Sequence, residues 1–75
     1  MKINIENISV LKPGQRRELS SVLGFLIEAD ARTLKEIHHL INQEPTFVAV
    51  CGHGNCTVQL KDGPDQTTVF ATIAF

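Results

Sequence analysis

At 75 residues the chain has room for one small core, and a 43% hydrophobic content, nearly all of it aliphatic with no Trp or Tyr, can fill it. A domain this short hides only about 60% of the surface it would expose unfolded, so oligomerisation, a metal or a disulfide is a common supplement. The net charge of −1 excludes a global field that would drive the chain onto nucleic acid or an anionic membrane.

The N-terminal run MKINIENISV interrupts its apolar residues with charge and Asn, unlike a signal peptide, and no apolar run approaches the ~20 residues needed to span a bilayer. Two cysteines are too few for the disulfide framework of a small secreted domain. The expectation is one cytoplasmic domain over residues 1–75, with no membrane association.

Taken in order, residues Lys2 to Leu11 read as a first strand. Ile3 and Ile5 alternate with Lys2, Asn4 and Glu6, and then Ile8 and Val10 fall on the other parity. A bulge near Glu6-Asn7 would return them to one face. Lys12-Pro13-Gly14 ends the strand, since Pro removes a ladder donor and Gly permits a turn. From Gln15 to Ala29 the period becomes helical, with Leu19, Val22, Leu23 and Leu26 on one stripe and Phe25 and Ile27 widening it.

Residues 30–44 are helical again, with Leu34, Ile37 and Ile41 on one face. One unbroken helix would run about 45 Å, whereas an eight-residue strand spans about 27 Å, so two helices fit the sheet better. A break at residues 29–33 agrees with Thr33-Leu34-Lys35-Glu36, a capping box, and with Asp30 as an alternative N-cap. Pro45 closes the second helix.

Thr46 to Lys61, TFVAVCGHGNCTVQLK, reads as a β-hairpin, with Gly52-His53-Gly54-Asn55 as its turn. A loop over residues 61–66 follows, and Thr67 to Phe75 is a last strand, apolar on both parities and so suited to a central place. The predicted architecture is α+β and two-layered. A four-stranded antiparallel sheet carries two helices on one face, in the order β1-α1-α2-β2-β3-β4 along the chain and β2-β3-β4-β1 across the sheet.

Four constellations are candidates for function. Cys51, His53 and Cys56 crowd one turn, as ligands of a structural zinc would, but the spacing is wide and no second ligand pair follows. Buried free cysteines are the simpler reading, and a Cys51–Cys56 disulfide is sterically open but disfavoured in a reducing compartment. His38 and His39 suit the half-buried edge and the wet face of the second helix. Lys12, Arg16 and Arg17 at the start of the first helix, with Arg32, Lys35 and His39 along the second, could touch a phosphate backbone. Interleaved Glu18, Glu28 and Glu36, and the lack of an exposed aromatic platform, argue for simple solvation.

The fourth constellation is a sheet face. Period-2 sets place Val48, Val50, Phe70 and Thr72 away from the helices, where an apolar patch would seek a partner. With no phosphate loop, catalytic triad or buried carboxylate pair, neither an enzyme nor a cofactor is expected. The leading expectation is an intracellular protein-binding module (a regulator, inhibitor or accessory subunit), forming a homodimer through that face. A nucleic-acid-binding protein and a zinc-stabilised module are the alternatives.

Overall fold

A computed structural model of the chain describes residues 1–62 and 67–75, and the Gly-Pro part of the expected loop lies outside the described residues. The hairpin forms where its turn chemistry dictates. β2 (Phe47–Gly52) and β3 (Asn55–Leu60) pair antiparallel, with Phe47 opposite Leu60, Cys51 opposite Cys56 and Gly52 opposite Asn55. His53 and Gly54 make the two-residue turn with φ of 51° and 85°. Two successive positive φ values define the turn whose twist matches that of the flanking strands.

The chain does break between the helices. α1 runs from Pro13 to Glu28, with Pro at the start, where its missing N–H costs nothing. Gln15 Oε1 accepts from the Lys12 N–H at 2.9 Å, tying down the entry. At the far end Asp30 adopts φ 53°, its N–H donates to Ile27 O and the Ala31 N–H donates to Leu26 O. That pair of bonds is a Schellman stop, completed by contact-forming burial of Ala31 and Leu26 in the core. Asp30 therefore ends α1 rather than capping the next helix.

α2 is Leu34–Asn42, shorter than the 30–44 span suggested by periodicity. Its N-cap Thr33 accepts from the Glu36 N–H at 3.1 Å. Glu36 reaches back one residue further than in a standard capping box, to the Arg32 N–H.

β1 is Lys2–Ile5 and β4 is Ala71–Ala74, and the antiparallel sheet has the order β1-β4-β3-β2. The extended first strand to Leu11 is corrected. Asn7 turns left-handed at φ 56°, its Nδ2 donates to Val69 O at 2.9 Å, and Ile8–Val10 form a 3-10 turn. Asn tolerates that conformation better than most residues, so the slip in phase marks a strand end and not a bulge.

A bulge does occur, in the last strand. Val58 is opposite Ala71, and its carbonyl also accepts from the Phe70 N–H at 2.8 Å. Two successive residues thus face one residue of β3, which turns both side chains the same way. Phe70 and Ala71 are both buried, at 1% and 0% exposure.

α2 packs across β2 and β3, and α1 lies beside it, with Ile27 near Met1 and Phe75 at the β1–β4 side. Leu19 and Leu26 of α1 and Ile37 and Ile41 of α2 join Phe47, Val58, Phe70 and Ile73 in one core. No helix among the described residues is long and apolar enough to cross a membrane.

Candidate interaction surface

The outer face of the sheet is built from alternate residues of each strand. Across its middle lie Asn4, Thr72, Thr57 and Val50 in register. Val48 and Gln59 make the neighbouring row, and Thr57 Oγ1 donates to Val50 O at 3.3 Å. Phe70, expected to anchor an apolar patch here with Val48, Val50 and Thr72, has turned into the core through the bulge. Val50 remains 56% exposed and Val48 is half-buried, but their neighbours are hydroxyls and amides. The contiguous apolar face is therefore not formed.

Cys51 and Cys56 are joined by a disulfide, so the expected free thiols are corrected. The reason lies in the hairpin register. Gly52 and Asn55 flank a two-residue turn as a hydrogen-bonded pair, which makes Cys51 and Cys56 the next, more closely spaced pair. Their Cα atoms are 4.0 Å apart. Both sulfurs lie 3.9 Å from the Leu34 carbonyl, which places the bridge against the first turn of α2; with no S–H the contact is packing and not a hydrogen bond. His53 projects at the exposed turn tip. Among the described residues, no cluster of three or more His, Cys, Asp or Glu side chains could hold a metal ion.

The basic residues are not brought together. Lys12, Arg16 and Arg17 are exposed around the start of α1, whereas Arg32 and Lys35 lie past its other end, roughly 24 Å along a sixteen-residue helix. Arg32 binds Asp30 Oδ2 through Nε at 3.0 Å and Nη2 at 2.7 Å. His39 Nε2 sits 2.9 Å from Gln43 Nε2, and His38, expected at a half-buried edge, is exposed beside it.

Exposed apolar residues that periodicity did not reveal lie on and after β1 and beside its first residue. Ile5 is 53% exposed, and Ile8 and Val10 on the turn after it are also open to solvent. Ile27 of α1, at 62%, faces a groove of about 420 Å³ whose walls include Met1, Ala31 and Phe75. Phe25 and Val50 are the other large apolar side chains left exposed among the described residues. Phe25 and Ile27 were expected to widen the buried stripe of α1; the stripe is narrower, confined to Leu19, Val22, Leu23 and Leu26.

The two sheet edges differ in their backbones as well. On the β2 edge, the outward Ala49 N–H is taken up by Asn42 Oδ1 at 2.9 Å. On the β1 edge, the Glu6 N–H donates to Phe70 O, which fixes the phase of the ladder. Lys2, Asn4 and Glu6 then bond toward β4, and the peptide groups of Ile3 and Ile5 point away from it. Compared with family models, with curated proteins and with solved structures, the chain has no match. The surface itself must carry the functional reading.

Proposed function

We propose that the chain is a small protein-binding module, acting as a regulator, inhibitor or accessory subunit, and that it binds through the β1 edge and the apolar rim around it. The observations that support this reading are an Ile5 left half exposed on β1, the exposed Ile8 and Val10 that follow it, and the groove that Ile27 shares with Met1 and Phe75. Apolar side chains scattered singly need no explanation, but a grouping beside an open strand edge is the usual character of a protein interface. Strand addition there would supply main-chain hydrogen bonds, while the rim would supply buried apolar area.

A cytoplasmic location remains part of the proposal, and it has a consequence for the hairpin. Disulfides in that compartment are transient, so the Cys51–Cys56 bond would form and open with the redox state there, whereas an oxidising compartment would hold it closed. Trapping free thiols with an alkylating reagent in intact cells separates the two.

The test of binding is capture from the host with wild type and Ile27→Lys, a change at an exposed position that spares the core. A protein retained by wild type and lost with Ile27→Lys is the expected result. Equal retention by both, or salt-sensitive retention of nucleic acid alone, contradicts the reading.

A further inference from the structure

We propose that the β1 edge is a self-association site, at which a second copy of the chain adds its own β1 antiparallel about a two-fold axis through Asn4. The inference rests on the protein-binding reading and deepens it by naming the partner, the strand and the register.

The backbone phase restricts the pairing. Only Ile3 and Ile5 present outward peptide groups, because Lys2, Asn4 and Glu6 are engaged with β4. A two-fold antiparallel pair must place outward groups opposite outward groups. Three registers do so. Centring on Ile3 pairs that residue with itself and leaves Ile5 opposite Met1. Centring on Ile5 sets Ile3 opposite Asn7, which is left-handed and no longer extended. Centring on Asn4 pairs Ile3 with Ile5 of the second copy, and Ile5 with Ile3, so every outward group of β1 is used.

The side chains favour the same register. On the outer face, centring on Asn4 brings Lys2 opposite Glu6 of the second copy, and Glu6 opposite Lys2. Both are exposed in the single chain. Opposite charges directly across a strand pair attract, and like charges would repel. The two Asn4 side chains meet at the axis, where amides can bond to one another. On the helix side, Ile3 and Ile5 of both copies become cross-strand neighbours, which covers an Ile5 that α1 leaves 53% exposed.

The layer geometry permits this. Ile5 on the helix side of β1 is left 53% exposed, so α1 does not close over the edge at that residue. Two copies would form a continuous eight-stranded sheet, the two α1 helices side by side across the axis. Ile27, which lies near Met1, would then sit toward the Ile8–Val10 turn of the second copy, because antiparallel pairing sets the Met1 end of one strand against the Asn7 end of the other.

Sedimentation over a concentration series, read with circular dichroism to confirm folding, tests the site. Wild type is expected to show a concentration-dependent monomer–dimer equilibrium. Ile5→Pro removes an N–H that points away from β4 and bonds to none of the described residues, so the monomer should fold and dimerisation should be lost. Lys2→Glu alone, or Glu6→Lys alone, turns two attractive pairs into repulsive ones and should weaken the dimer roughly tenfold. The double exchange Lys2→Glu/Glu6→Lys should restore it, because the pairing is reciprocal. A wild type that stays monomeric at millimolar concentration overturns the self-association site, as does Ile5→Pro that dimerises normally or a double exchange that fails to recover. A monomer whose captured protein partner still depends on Ile27 would leave the module reading intact, so the two failures are distinguishable.

Discussion

Phe70→Ala tests the bulge that reshapes the sheet. Phe70 is 1% exposed and packs in the cluster with Leu26, Ile41 and Ile73. Truncating a buried Phe to Ala typically costs about 3–5 kcal/mol, from lost transfer energy plus the cavity left behind. A chain of this length has a total stability of roughly 4–11 kcal/mol, so the change should remove about half of it. With a urea slope of about 1 kcal/mol/M for a small domain, the unfolding midpoint should fall by about 3 M or the chain should unfold outright. Val50→Ala, two strands away on the outer face, is the control and should move stability by no more than about 0.5 kcal/mol. Urea titration followed by far-UV circular dichroism reads both. A Phe70→Ala midpoint indistinguishable from that of Val50→Ala would refute the bulge and return Phe70 to the outer face.

Two further substitutions probe the joints of the fold. Thr33→Ala removes the acceptor for the Glu36 N–H at the start of α2 and should lower stability by about 1 kcal/mol, measured by thermal unfolding; no change would mean that the break between the helices does not depend on this cap. Cys51→Ser/Cys56→Ser opens a bridge that spans a sequence separation of 5, and the chain-entropy model puts the loss for so short a loop at about 2 kcal/mol. The variant should stay folded, and a chelator should leave wild type unchanged; unfolding of wild type by the chelator would favour the zinc alternative.

Much of the fold was legible because its signals are local. Gly52-His53-Gly54-Asn55 carries its own turn preference, and Thr33 with Glu36 marks a helix start whatever surrounds it. The strand order followed from the doubly apolar last strand. What escaped the sequence depended on register and on partners distant along the chain. Asn7 is polar and turn-prone, yet only its bond to Val69, across the sheet, decides that β1 ends there. Phe70 obeys strand parity until a single hydrogen bond to Val58 shifts it by one residue and sends it inward.

The same dependence governed the candidate sites. The disulfide was within reach of sequence reasoning, because a two-residue turn between Gly52 and Asn55 makes Cys51 and Cys56 the close pair; compartment weighed against it. The apolar rim was less accessible. Ile8 and Val10 were absorbed into a longer strand, and Phe25 and Ile27 into a wider helix stripe. Their exposure follows from where α1 sits on the sheet, which periodicity along one helix does not specify.

The central claim is that this chain binds protein through the β1 edge and its rim, and amide hydrogen exchange residue by residue, in dilute and in concentrated solution, tests it most directly. The Ile3 and Ile5 amides, which bond to none of the described residues, should exchange rapidly when dilute and become protected on concentration, with the outer-face residues Thr57 and Thr72 unchanged. Protection that appears instead around Val48 and Val50, or around Arg16 and Arg17, would contradict the account.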